Sequence, residues 1–596
     1  MSNDTSTSPL SLITSPYSDR ALSHVPPELH VETRDAELDI ISNGLYGARR
    51  MRNKKIGACK LPCEIIAYIF ECLQPLWPPQ RLYIGLPVQS RLKFAAGWIS
   101  VSHVCSIWRE VALGFPSLWT KPRIDVFGLP SQYIPDILFR SRSAPLDLAI
   151  DWDGDYEMVR QDPNLKAWLS PSIFRRAKRL EIVAEELPLV ERIATQLCPT
   201  SEMAYLRELH ITLSQTDNPV VLPASFRDFP SLTRLTLNNF EVPWASPLLS
   251  SQLVELHLSC NRVGPRPSYD ELSVMLTSLQ TIKVLELQNI IPLLSPIRPF
   301  RAHDAPITMS SHLRSLTTCC IEDGQTGMDG LMFVSSLRVP ARCAHKHTFA
   351  PPQGEESDIS AIMGRLLPDL SLASGGKIEL RHLYLDCDKL YLVLDNQRQS
   401  TSSPEHPSRL SDEGVTNALY VPMYDEDEEV QCFHLVDYLQ HITLKHLDTI
   451  SFDMTSVRLI SQGNLWPHLL RANNVRQVAL LEMYEGEFNV DFSHILPALS
   501  SPQPTGTGDE TRMLFPSLEV LALPISSKKS THQELVIDLI DLIHARREQE
   551  VPLHELLVPK AVGGWAVWDT LRTMLKVTLI DFPVGRSPVM PEDSHV

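Results

Sequence analysis

The chain has 596 residues, more than one hydrophobic core accommodates, so several domains or one elongated array of repeats is expected. With 54 basic against 71 acidic side chains its formal charge is −17, which argues against a general attraction to nucleic acid or to an anionic membrane surface. Pro outnumbers Gly, 47 to 24, and this favours many short elements on stiff connections over long central strands.

The 11 Cys follow no repeating framework and read as reduced thiols. The first residues are Ser/Thr-rich without the basic-then-apolar order of a secretory signal, and no run reaches about 18 apolar residues. A soluble protein of the cytosol or nucleus, with no membrane partner, is expected.

In chain order, residues 1–27 are polar and Pro-punctuated and read as disordered, and a lead-in helix follows over about 28–55. Its basic end (Arg49, Arg50, Arg52, Lys54, Lys55) reads as a solvated helix terminus placed favourably against the dipole, in preference to a nuclear-import signal. Residues 1–56 therefore form a disordered N-terminus and lead-in helix.

Over 61–74, Leu61, Ile65, Ile69 and Leu73 recur every fourth residue, and Ile66 and Phe70 widen the stripe of an amphipathic helix. Pro62 sits in the first turn, where its missing N–H is harmless. A Pro-rich insert occupies 75–97, and a second helix is expected from Trp98 to Leu113, carrying Val101, Val104, Cys105, Trp108 and Val111. Gly114 and Pro116 end it, and Leu118-Trp119 closes the block, giving a module over 57–120.

From 121 to 596 the pattern changes. "LTRLTLNNF" at 232–240, "LVELHLSCN" at 253–261 and "IKVLELQNI" at 282–290 share one spacing of apolar residues. Leu253, Leu256, Leu258 and Asn261 match the leucine-rich-repeat strand LxxLxLxxN. Weaker copies begin at Leu206, Leu313, Leu380, Leu447, Val475, Leu518 and Leu553, the first few about 20–30 residues apart. Helix followed by strand is readable twice. One instance is "ILFRSRSAPLDLAI" at 137–150; the other starts at the capping-box pair Thr531 and Glu534 and ends in "PLHELLV" at 552–558. The Ser/Pro/acidic stretch 398–431 reads as a disordered insertion, and 343–358 and 501–511 read as shorter ones.

No phosphate loop, HExxH zinc helix or GxSxG elbow is present. Cys343, His345 and His347 alternate along one segment, but a fourth ligand at zinc spacing is lacking nearby, so a polar loop is expected and neither metal nor cofactor.

The two N-terminal helices, "LPCEIIAYIFECL" at 61–73 and "VSHVCSIWREVALGFPSLW" at 101–119, resemble the F-box, and the insert resembles those of mushroom-type fungal F-box proteins with irregular leucine-rich repeats. The resemblance covers about a tenth of the chain. It implies a small helical F-box module followed by an irregular leucine-rich-repeat-like α/β solenoid. It also implies that Leu61, Pro62, Ile65, Ile66, Ile69, Phe70, Leu73, Val104, Cys105 and Trp108 dock a Skp-family adaptor, and through it a cullin scaffold. The chain would then be a non-enzymatic substrate receptor of a ubiquitin ligase with an unknown protein target. A plain leucine-rich interaction scaffold is the alternative, and an unrecognised enzyme the third reading.

In each repeat strand the leucines point to one side, so the residues between them share the other. Aligned by register, that second face carries Glu208, Arg234 and Glu255 in one column and His210, Thr236 and His257 in the next. A surface charge ladder explains the first column; His210, Arg234 and His257 are also the candidates for contacting a target.

Overall fold

A computed structural model describes residues 26, 30–84, 91–120, 124–125, 133–152, 163–196, 203–214, 216, 218–262, 264–292, 306–322, 324–371, 379–386, 389–395, 415–421, 434–481, 492–505, 510–525 and 532–581. The chain divides into two compact units, Met1–Asp151 with Gln161–Lys178, and Trp152–Arg160 with Arg179–Val596. It is a mixed α/β protein built on a large, mostly parallel sheet.

The first unit opens on helix α1 (His30–Asn53), the lead-in helix read from sequence. Residues 1–25 and 27–29 of the expected disordered N-terminus lie outside the described residues. Helix α2 (Cys63–Leu73) begins after Pro62, which is extended (φ −53°, ψ 147°) and forms the N-cap rather than the first turn. Within the Pro-rich insert, strands β1 (Gln80–Ile84) and β2 (Arg91–Ala95) pair antiparallel. The single helix expected over 98–113 is two elements, a 3₁₀ segment Gly97–His103 and helix α3 (Ser106–Gly114). The break falls at Cys105, which is extended at φ −158° and whose Sγ accepts the Trp108 backbone N–H at 3.4 Å. A thiol thus caps α3 where Ser or Asp is usual.

Gly97 has φ +53°, and a Cβ there would lie 2.4 Å from the Pro78 carbonyl oxygen. Only glycine lets the two chain segments approach so closely. The Trp98 N–H beside it donates to the Trp77 carbonyl at 2.7 Å, tying the ends of the insert together. Ile66, Phe70, Trp98, Val111, Ala112, Leu118 and Trp119 form the unit's core. Phe70 meets Trp108 edge-on at 5.4 Å, and Trp119 donates from Nε1 to the Ala112 carbonyl at 2.7 Å. Further along, β3 (Ile124–Asp125) pairs in parallel with β4 (Leu146–Trp152).

The second unit is organised by one strand series. It runs β5 (Ala177–Ala184), β6 (Glu208–Leu213), β7 (Arg234–Asn238), β8 (Glu255–Ser259), β9 (Val284–Gln288), β10 (Ser315–Cys320) and β11 (Ala344–Phe349). Then come β12 (Glu379–Leu385), β13 (Lys389–Asp395), β14 (Val415–Tyr420), β15 (Thr449–Asp453), β16 (Gln477–Leu481), β17 (Val520–Ala522), β18 (Glu555–Pro559) and β19 (Lys576–Ile580). From β5 to β11 each strand pairs in parallel with the next. The same holds from β15 to β19. Between these runs the order reverses: β11 pairs with β14, β13 lies antiparallel between β14 and β12, and β12 pairs with β15.

This reversal corrects two expectations. The stretch 398–431 is not wholly an insertion, since Val415–Tyr420 is a sheet strand; 398–414 and 422–431 lie outside the described residues. Nor is 343–358 a polar loop, because Ala344–Phe349 is a strand and helix Glu356–Ser371 starts behind it. Similarly, 503–504 and 511–512 of the stretch 501–511 pair as a short ribbon. The capping-box residue Thr531 lies outside the described residues; the helix it was expected to open is present as His532–Glu548.

The inward column Leu180, Leu209, Leu235, Leu256, Leu285 and Leu316 is at most 1% exposed, so each leucine contributes about 1.5–3 kcal/mol by burial. At the strand ends Asn239 and Asn289 adopt φ +64° and +55° and are buried. Asn239 donates from Nδ2 to the Leu213 carbonyl and Asn289 to the Cys260 carbonyl at 2.8 Å. Asn261 itself is exposed; it donates its N–H to Asn239 Oδ1 at 2.6 Å and its Nδ2 to the Thr216 carbonyl at 3.2 Å. Arg546 performs the same service at the other end. Its buried guanidinium donates to the carbonyls of Leu499, Leu514, Phe515 and Val551 at 2.7–3.2 Å.

The apolar column is interrupted once. His345 and His347 stand in register with Leu316 and Thr318, on the core side of β11. Thr318 Oγ1 and His347 Nδ1 are 2.8 Å apart, and His347 Nε2 lies 3.4 Å from His345 Nδ1. Asn417 accepts the His345 N–H at 2.9 Å and donates to the Leu370 carbonyl at 2.7 Å. Burial pushes the His345 imidazole down to about 4, and burial followed by the neighbouring His345 pushes His347 well below the usual range. Among the described residues no cluster of His, Cys, Asp or Glu is arranged to hold a metal ion, and no helix is long and apolar enough to cross a membrane.

Candidate functional site

In the first unit, α2 divides the sequence stripe between two faces. Ile66 and Phe70 are 2% and 1% exposed and belong to the unit's own core. That corrects their expected place in the docking set: they hold the helix and cannot touch a partner. Leu61, Ile65 and Ile69 point the other way and are 40%, 46% and 45% exposed. The spacing of four puts Ile65 and Ile69 in one row along the helix, and Leu61 lies in the extended segment just before it. Val104 is also exposed, whereas Leu73, Cys105 and Trp108 are half-buried; Pro62 is exposed at the cap. Tyr68, Leu76 and Trp77 extend the apolar surface and were missed in the sequence. The signal was there in "PLWPP", where large apolar residues sit in a stretch too Pro-rich to bury them in a helix.

A row of isoleucines held at nearly half exposure on a rigid helix is a ready docking surface for an apolar partner. The helix start is polar. Glu64 accepts backbone and Cys63 hydrogen bonds that hold its carboxyl below the usual range, and Glu64 in turn raises the Cys63 thiol. Cys59 and Cys105 lie 3.8 Å apart as free thiols.

In the second unit the face away from the leucines changes character along the sheet. On β5 to β9 it is charged. Arg179 reaches Glu181 at 3.1 Å and Glu208 at 3.9 Å; Arg234 bridges Glu208 at 3.3 Å and Glu255 at 3.0 Å. One column over, His257 Nδ1 meets Glu286 at 2.8 Å, and this hydrogen bond draws the Glu286 carboxyl below its usual range. His210 lies in the same column; burial, then the Arg179 charge, lowers its imidazole, and its Nε2 has no hydrogen-bond partner among the described residues. The registers Glu208↔Arg234↔Glu255 and His210↔Thr236↔His257 are those read from sequence. Arg179, Glu181 and Glu286, which complete the ladder, were missed, although "RLEIV" at 179–183 shows the same alternation.

From β12 to β18 that same face carries a buried apolar cluster, and charge returns at its far edge, where Lys576 meets Glu555 at 2.8 Å. Tyr384, Ala479, Leu481, Ala522 and Leu557 form a buried cluster, with Tyr391, Val520 and Ile580 packed against it. Among the described residues the longer charged ladder lies on β5 to β9, with the single Glu555–Lys576 pair at the other end of the sheet. A polar groove of about 530 Å³ lies elsewhere in this unit, lined by Arg381, Asp448, Arg476, Glu519, Glu550 and His554 among others, with Arg381 and Asp448 paired at 3.1 Å.

Compared with known proteins, the chain matches no protein-family model and no curated protein.

Proposed function

We propose that the chain is an F-box-type substrate receptor, in which the α2 face docks a Skp-family adaptor of a cullin-based ubiquitin ligase and a leucine-rich-repeat-like solenoid holds the target. The observation that carries this reading is the division of labour on α2. Ile66 and Phe70 anchor the helix while Leu61, Ile65, Ile69 and Tyr68 stay open, and Leu61, Ile65 and Ile69 are among the residues that carry the F-box resemblance. The receptor needs no catalytic residue of its own, because raising the local concentration of a target beside a conjugating enzyme is sufficient.

Replacing Ile65 and Ile69 by Ala removes roughly 2 kcal/mol of docking energy, about half the burial value of two such side chains. Adaptor co-purification should fall roughly thirtyfold while the thermal midpoint holds. Undiminished adaptor binding by the folded double variant refutes the assignment.

The target is read onto the charged strands. The longest charged ladder of this face lies on β5 to β9, away from the buried apolar cluster, which supports His210, Arg234 and His257, together with Arg179 and Glu286, as the recognition patch. Arg234→Glu with His210→Ala and His257→Ala should abolish target capture and leave adaptor binding intact. A folded triple variant that still recovers the same targets places recognition elsewhere.

A further inference from the structure

Most of helix α1 is open to solvent. From Leu38 to Arg52 every residue is exposed, and an exposed Arg50–Glu110 pair at 3.5 Å ties its end to α3. Yet it carries an apolar line. Leu38, Ile41 and Leu45 are 53%, 40% and 48% exposed, and with Ala48 they follow the three-and-four spacing of a coiled-coil seam; one heptad earlier stands Val31, with Arg34, paired to Glu37 at 2.9 Å, at the seam position between. The helix also contains Gly44 and Gly47, around which a Cβ would meet nothing within 4 Å. No packing demands these glycines, and each weakens an isolated helix. A solvated helix with two interior glycines and an open leucine line is poorly stable alone and is stabilised by a cover.

The charges say which cover. Glu32, Asp35, Glu37 and Asp39 outnumber Arg34 in the first half, and Arg49, Arg50, Arg52, Lys54 and Lys55 lie at and beyond the end. A parallel pair would bring two basic ends together. An antiparallel pair sets each acidic half against a basic half.

We propose that α1 is a self-association helix that joins two copies of this chain as an antiparallel coiled coil. In that register Leu45 faces Ile41 of the second copy, and Leu38 faces its Ala48. Asp35 lies beside Arg49 of the second copy, on both sides of the two-fold axis. Gly44 meets its own symmetry mate and allows close approach, while Arg50 points away from the seam and keeps Glu110. The 24-residue helix is about 36 Å long, so the dimer would hold its two α2 docking faces at opposite ends of a short rod.

Sedimentation equilibrium of the full chain across a wide concentration range tests this. Wild type should show a reversible dimer. Leu38→Glu with Leu45→Glu should be monomeric with a nearly unchanged thermal midpoint, since those side chains are about half exposed in the monomer. Arg49→Asp alone should raise the dissociation constant by about tenfold, because two symmetric pairs become repulsive. Asp35→Arg in the same chain as Arg49→Asp should restore it, a rescue that a parallel pair would not give. A chain that stays monomeric at all concentrations, including one whose α1 is instead covered by the adaptor, overturns the proposal. So does a dimer indifferent to the leucine changes or not restored by the charge exchange.

Discussion

The paired histidines on β11 should make the second unit less stable in acid. His345 is held at about 4 against an ordinary 6.5, so between those values the unfolded chain takes up a proton that the folded chain refuses. Stability from this group is complete above about pH 6.5 and drains away as the pH falls. Working the linkage from those two values, lowering the pH from 7.5 to 5.0 removes about 2 kcal/mol through His345 alone. His347 is shifted in the same direction and adds to the loss. Urea unfolding of wild type and of His345→Gln with His347→Gln, each at the two pH values, isolates the effect. The variant is expected to start less stable, because Thr318 loses its imidazole partner, but to lose markedly less on acidification. Carboxylates and His210 titrate in both proteins and cancel in the comparison. Equal losses in the two proteins would refute the argument that burial keeps this pair neutral.

Arg546→Met should destabilise the second unit by about 3–5 kcal/mol, because four carbonyls lose their buried donor; a loss under 1 kcal/mol in urea titration would contradict this. Gly97→Ala should cost about 1–3 kcal/mol in the first unit through its positive φ and the Pro78 carbonyl, and adaptor co-purification should fall with it. Asp453 caps helix Met454–Gln462 by accepting the Ser456 N–H at 2.8 Å and the Thr455 N–H at 3.0 Å, so Asp453→Ala should lower stability by about 1–2 kcal/mol. Arg234→Ala, at a side chain 46% exposed, should change stability by less than about 1 kcal/mol, and a larger effect would mean the ladder is structural.

What was legible in the sequence was what repeats. Leu235-x-Leu237 and Leu256-x-Leu258 fixed the inward face and therefore the register of the charged columns, since a strand has only two faces. The weaker copies at Leu313, Leu447, Val475, Leu518 and Leu553 each lead into a sheet strand, and Leu380 lies within one. Strand β11 was unreadable for a physical reason: His345 and His347 occupy positions held by leucine elsewhere, and their hydrogen bonds to Thr318 and to each other are invisible to a hydrophobic pattern. Strand β14 hid in a polar stretch because its place depends on β13, which reverses direction beside it. On α2 the residue types were read correctly but the stripe was too wide. Periodicity gave one face, and only packing against Trp108 and the rest of the core separates Phe70 from Ile69.

The reversal between β11 and β15 also bears on the order in which the sheet assembles. Contacts between successive strands elsewhere close short loops, as between Arg234 and Glu208, 26 residues apart. Joining β11 to β14 brings together His345 and Asn417, 72 residues apart. Chain-closure entropy makes that step about 0.9 kcal/mol harder than its neighbours, before any contact rewards it. The strands up to β11 and those from β15 onward can each zip up from local contacts. The middle hairpin then seals the two halves late, and substitutions there should slow folding less than they hasten unfolding.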